Sequence, residues 1–302
     1  MKRFHHIIAA IDFTPSCRAA LKEAARRASL DGAKVTAVHV MDEFLVHELK
    51  RALSTTADAI REDWTKRLQQ FVDESDVGAG CFVEVRAGSP VHELMEACHA
   101  HKADLLVMGA KGSRAAPHRI GAVAAKAIRS APVDVLIVRN EAQGPYKKVL
   151  ACVDFSENSA KAVQFALHMA QQDHGSVDCL HVFQSALLLA VDFGGFAPAA
   201  LPQGRDAEGI QRWKTELETF LEPLTRKAGD VQVTPVVTEM VNVREAILDH
   251  VIQNHCDLVV LGTRGKTNLR TLLIGTTAER IVQHIPCSIL AVKPDEVIEG
   301  AV

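Results

Sequence analysis

The chain has 302 residues, 48% of them apolar and 24% charged, with a formal net charge of −3. That length accommodates two domains with a core each, and the composition is that of a globular protein. So small a net charge gives no electrostatic argument for nucleic acid or an anionic membrane as partner. The seven cysteines include no C-x-x-C pair, which argues against a disulfide framework or structural zinc and for a reducing compartment. The apolar run after Met1 ends at Asp12, too early for a signal peptide, and Asp192, Gly194, Gly195 and Pro198 break the greasy segment before it can span a bilayer. A cytoplasmic location is the expectation.

In chain order, Ile7-Ile-Ala-Ala-Ile11 reads as a buried strand closed by Asp12, and Val38-His39-Val40 as part of a second. Asp104-Leu-Leu-Val-Met-Gly109 is a strand ending in glycine, and Ala131-Pro132 precedes an apolar run, 133–138. The series then repeats. Val149-Leu-Ala-Cys-Val153 is closed by Asp154, Leu180-His181-Val182 follows, then Asp257-Leu-Val-Val-Leu261-Gly262, and Ile285-Pro286 before 288–292. From Asp12 to Asp154 the shift is 142, from Gly109 to Gly262 it is 153, and from Pro132 to Pro286 it is 154. The chain therefore divides into domains at 1–141 and 145–302, joined by a polar stretch ending in Gly144-Pro145. The larger late shift places an insertion in the second copy, around 186–205.

In that copy strands are predicted near 147–153, 176–183, 231–238, 257–261 and 287–292, with helices near 157–173, 206–228, 243–254 and 278–284. Val163, Ala166, Leu167 and Ala170 mark the buried stripe of one helix, and Val243, Ile247, Val251 and Ile252 that of another. Alternating units imply an α/β fold, two tandem Rossmann-like domains, each with a parallel sheet covered on both faces. In the order 3-2-1-4-5 the first and fourth strands are neighbours where the winding reverses, so Asp154 and Gly262 would face one crevice.

After Gly262 come two residues, Gly265, nine residues, and Gly275-Thr276-Thr277, between a strand and a helix. Such a loop can turn backbone N–H groups and a helix N-terminus toward an anion, and the threonine hydroxyls lie where helical amides lack partners. The bland alternatives are a tight turn for Gly262 and Gly265, a cap role for Asp154, and a hydrogen-bonded core role for His39 and His181.

Both copies resemble universal stress protein (UspA-type) domains, and the resemblance spans essentially the whole chain. The family's signature, Gly-two residues-Gly-nine residues-Gly-Ser/Thr, is matched by Gly262, Gly265, Gly275 and Thr276. By resemblance, these with Thr277 would wrap the phosphates and ribose of ATP, alone or with magnesium. Asp154 and the backbone of Val182 would hold adenine, with the strand-end residues Val153 and Leu261 beside them. The first copy departs from the signature: only eight residues separate Gly112 from Gly121, and Ala122 has no hydroxyl. One adenine nucleotide per chain, in the second copy, is the expectation. The two final strands, Val133 to Val138 and Ser288 to Val292, are apolar and would lie at sheet edges. Bare edges invite pairing, so they are expected to pair with each other as an internal pseudo-dimer, with further homodimerisation open.

The sequence holds no Gly-x-x-x-x-Gly-Lys-Ser/Thr loop, no Gly-x-Ser-x-Gly elbow, no paired carboxylates beside the glycines and no metal-ligand spacing among its histidines. A nucleotide-responsive stress protein is therefore expected rather than an enzyme. The alternatives are a slow ATPase of the same superfold and a scaffold that binds no nucleotide.

Overall fold

The computed structural model describes residues 3–78, 80–111, 120–139, 145–185, 207–226, 228–264 and 281–295. In chain order the elements are β1 (His6–Ile11), α1 (Pro15–Asp31), β2 (Lys34–Met41), α2 (Glu43–Leu53), α3 (Ala57–Asp73), β3 (Cys81–Ala87), α4 (Pro90–Ala100), β4 (Leu105–Gly109), α5 (Ala122–Ser130) and β5 (Asp134–Val138). They continue with β6 (Lys148–Cys152), α6 (Glu157–Asp173), β7 (Ser176–Phe183), α7 (Ala207–Thr225), β8 (Gln232–Glu239), α8 (Val243–Gln253), β9 (Leu258–Gly262) and β10 (Ser288–Val292). Two compact units result: Arg3–Gly144 with Ser288–Val302, and Pro145–Cys287 with Met1–Lys2.

In the first unit the strand order is β3-β2-β1-β4-β5-β10, the first five parallel and β10 antiparallel to β5. In the second it is β9-β6-β7-β8, all parallel. Both are α/β sheets. A sheet covered on both faces needs continuous apolar strands, and Leu258–Leu261 and Ile289–Val292 are buried at every position.

Each first strand is started by an aspartate from the strand beside it. Asp104 accepts from the amides of His5 (2.8 Å) and His6 (3.3 Å), and Asp257 from those of Lys147 (2.8 Å) and Lys148 (3.2 Å). The predicted stripe of α6 is buried as expected. That of α8 is corrected at one end: Ile247 and Val251 are buried but Ile252 is 59% exposed, because five residues of helix turn it about 140° away from Ile247.

The final strand of the second copy groups with the first unit rather than its own, leaving four described strands in the second unit. Ile289, Leu290 and Ala291 pair with Ile137, Leu136 and Val135. Beyond those rungs the two strands exchange side-chain bonds. The Arg139 amide donates to Ser288 Oγ (3.3 Å) and the Lys293 amide to Asp134 Oδ1 (2.7 Å). Asp134 and Ser288 are equivalent by the repeat shift of 154, and so are Arg139 and Lys293; the clasp is reciprocal. Lys293 is 1% exposed and its Nζ donates to the carbonyls of Ile128 (2.6 Å) and Arg129 (3.2 Å). A cation thus caps the C-terminal carbonyls of α5, where the helix dipole favours it.

Replacing Lys293 by Met keeps the aliphatic stem but strips those carbonyls of their donor. An unsatisfied buried acceptor costs about 1–3 kcal/mol, so Lys293→Met should lower the urea midpoint without changing the slope of the transition. An unchanged midpoint would show that the clasp contributes nothing to stability.

Candidate functional site

The site in the second copy is built where β6 ends between β7 and β9. Val149, Leu150 and Ala151 run in register with Leu258, Val259 and Val260, so both strands reach the same edge of the sheet. Val153 is buried and its amide donates to Leu180 O (2.9 Å), the last rung to β7. Asp154, at the end of that strand, and Leu261 and Gly262, at the end of β9, share this edge. Val182 lies two residues beyond Leu180 on a strand that alternates, so its peptide groups turn to the side β6 has vacated. Val153, Asp154, Val182, Leu261 and Gly262 therefore converge, whereas Gly265, Gly275, Thr276 and Thr277 lie outside the described residues.

The turn after Asp154 is tightly determined. Asp154 Oδ1 accepts from the Ser156 amide (3.1 Å) and hydroxyl (2.5 Å), and Ser156 Oγ in turn accepts from the Ser159 amide (3.1 Å) as the N-cap of α6. The turn role weighed for this aspartate is real, while the cap itself is Ser156. The first copy has the same relay: Asp12 Oδ1 accepts from the Thr14 amide (3.1 Å) and hydroxyl (2.6 Å), and Thr14 caps α1.

Between aspartate and cap stands a phenylalanine with left-handed backbone, Phe13 at φ 61° and Phe155 at φ 60°. That conformation costs an L-residue about 1–2 kcal/mol, and aromatic packing offsets it. Phe155 lies 4.5 Å from the His181 ring, 5.7 Å from Trp213 and 5.4 Å, edge-on, from Phe220. Phe13 meets His39 (4.7 Å), Trp64 (5.7 Å) and Phe71 (5.4 Å) in the same way.

The histidines bind the strand rather than a metal. His181 Nδ1 is 2.9 Å from Val153 O and His39 Nδ1 is 2.8 Å from Ile11 O. A carbonyl only accepts, so Nδ1 carries the proton in both. Sequence reasoning missed Phe155, Trp213 and Phe220 as partners. The signal was available, since Trp64 and Trp213 are separated by 149 residues and so are Phe71 and Phe220, while Phe13 and Phe155 follow the strand shift of 142.

Gly262 has no left-handed backbone. Its requirement is close approach: a Cβ there would stand 2.7 Å from Asn158 Nδ2, the side chain of the second residue of α6. In the first copy a Cβ on Gly109 would strike Ser16, 2.7 Å from its backbone carbon and from Oγ.

Burial pushes the thiols of Cys17, Cys98 and Cys179 up to about 12, so none of them is a thiolate nucleophile near neutral pH. Among the described residues no group of three or more His, Cys, Asp or Glu side chains could hold a metal ion, and no helix is long and apolar enough to cross a membrane.

A parallel sheet with a crevice where its winding reverses and a capped helix beside it defines a Rossmann-like α/β domain. The sequence profile of the universal stress protein family matches residues 3–139 and again 145–293. The chain belongs to the universal stress protein family, with two copies of its domain in tandem. It is 27% identical to universal stress protein YxiE of Bacillus subtilis over 150 residues, 49% of this chain and 99% of the relative. A universal stress protein of Methanocaldococcus jannaschii is 31% identical over 163 residues, 52% of this chain and 87% of the relative. The solved structure of a universal stress protein from Archaeoglobus fulgidus matches 95% of this chain and 98% of its own, with TM-score 0.67 and 16% identity, a likeness of fold.

Burial lowers the pKa of His39 below its ordinary 6.5, as the nearby Arg67 cation also does, against the bond to Ile11 O and the charge of Asp12. Burial likewise lowers His6, aided by neighbouring His101. Because the folded values are depressed, the contribution of both rings is present above pH 6.5 and is lost as pH falls through the folded values. The urea midpoint should therefore drop in mildly acidic buffer, and drop less in a His6→Gln, His39→Gln double variant. An equal drop in both proteins would remove these rings as its cause.

Proposed function

We propose that this universal stress protein binds ATP, alone or with magnesium, in its second copy and acts as a nucleotide-responsive regulator. The observation that carries the reading is the convergence of Asp154, the outward peptide of Val182 and Gly262 at neighbouring strand ends, in the copy whose sequence keeps the complete glycine signature. The edge of an adenine offers an amino donor beside ring-nitrogen acceptors. A carboxylate and a strand-end peptide supply the complementary groups, while Val153 and Leu261 give that end an apolar floor. Thr276, Thr277 and the amides near Gly265 and Gly275 would take the phosphates, the kind of group that glycine loops before a helix accommodate. The same reading treats the chain as an internal dimer of its two copies, supported by the antiparallel β5–β10 pairing.

Nucleotide content tests it. Protein purified without added ligand, then denatured, should release about one adenine nucleotide per chain by chromatography, for a single competent motif. Gly275→Val should abolish this and Gly121→Val should not. About two per chain would show that the shortened first loop also works. None, with no binding on titration, would leave the non-nucleotide scaffold.

A further inference from the structure

We infer that the second copy carries a further binding site, for a small zwitterion of the free amino acid class, at the end of its sheet opposite the strand-end crevice. A cavity of about 570 Å³ opens there, where β6, β7 and β8 begin and α6 ends. That volume lies within the range of small-molecule sites. Lys147, Ser176 and Gln232 stand at the three strand starts, Gln171 and His174 at the helix end, and Asp230 beside them. Every residue of the lining belongs to the second unit, and the inference is independent of the nucleotide reading.

The first copy shows what the fold itself requires here. His174, the C-cap of α6 at φ 50°, corresponds by the shift of 142 to Gly32, the C-cap of α1 at φ 73°. Glycine adopts that left-handed turn most readily. Val177 pairs with Val233 as its equivalent Val35 pairs with Cys81, so Asp230 and Gln232 correspond to Gly78 and Gly80. Three positions that the first copy fills with glycine thus carry an imidazole, a carboxylate and an amide in the second, and all three residues line one cavity. The turns need none of these side chains.

The charges suit a dipolar ligand. A Cβ on Gly175 would stand 2.5 Å from Tyr146 O and 2.9 Å from Lys147 O, so the glycine lets the start of β6 close on the end of α6. The Lys147 ammonium there donates to Asp173 O (2.8 Å) and keeps its other protons for a ligand. Asp230 is the carboxylate of this lining, and among the described residues it forms no ion pair with Lys147 or any other cation. A net anion would meet Asp230 and a net cation would meet Lys147, whereas one molecule with both an ammonium and a carboxylate satisfies each. Gln171, Ser176 and Gln232 can donate and accept for its remaining polar atoms, and Ala170 and Val231 supply an apolar wall.

The test is a thermal-unfolding screen of the full chain with each free amino acid at about 10 mM, where a ligand with a Kd of about 1 mM or tighter raises the midpoint. At least one amino acid should do so, and its calorimetric titration should saturate. Asp230→Asn and Lys147→Met should each weaken it by about tenfold or more, the scale of one charged hydrogen bond. The same compound without its carboxylate, or without its amino group, should lose a similar factor. Asp230 is exposed, so Asp230→Asn keeps the fold and decides if Lys147→Met, which also strips Asp173 O of a donor, does not fold. No shift from any amino acid would overturn the inference. So would a shift that survives Asp230→Asn, or an equal shift with glucose, which is polar but uncharged.

Discussion

A parallel sheet sends every strand's C-terminal end to the same edge, and the strand at which the winding reverses cannot have its following helix cover both of its neighbours. In the second unit that strand is β6, between β7 and β9. The gap above it follows from the pairing alone. Its contents depend on how the chain leaves β6, and here the exit is fixed three times: by the carboxylate of Asp154 on the Ser156 amide, by the left-handed Phe155 wedged among aromatic rings, and by the histidine proton on Val153 O. Removing any one leaves a turn that other conformations can replace. Together they hold the aspartate, the strand-end peptide and the helix N-terminus in one arrangement, and the recurrence of all three in the first copy marks the device as part of the domain.

Much of this was legible in the residues. Runs such as Asp257–Gly262 announce buried parallel strands, and the repeat shifts align one copy on the other, which is why the boundaries of β6, α6 and β7 fall within a residue or so of those predicted. The aromatic stack was less visible because its members come from a strand end, a strand middle and a helix, and the helix carries a different shift, 149, from the strands. Periodicity reports the face of one element and is silent about which faces of different elements meet.

Gly262 answers to more than the reason its spacing suggests. The spacing points to phosphate, while the structure adds that Asn158 occupies the place of a Cβ. A glycine demanded by two constraints is informative about neither by itself. Pairing of the two final strands was expected from their apolar edges, but the unit to which β10 belongs was not, because an apolar strand offers two edges and its residues do not say on which side it groups. Lys293 hints at the answer only once its ammonium is seen on the carbonyls of α5.

The grouping of β10 with the first unit has a consequence during synthesis. β5 ends at Val138 and its antiparallel neighbour begins at Ser288, 150 residues later (288 − 138). At about 5–20 residues per second, the ribosome takes roughly 8–30 s to cover that distance. For that interval the first domain has emerged with a terminal strand that is apolar from Val135 to Val138 and has a bare outer edge, the feature that invites pairing with another chain. Two nascent copies on one message present identical edges at high local concentration. The lysine and aspartate of the clasp, absent from the corresponding places of the other strand, make the late-arriving native partner chemically different from a second β5. Divergence between the copies thus gives the waiting edge a means of telling its own chain's strand from a neighbour's.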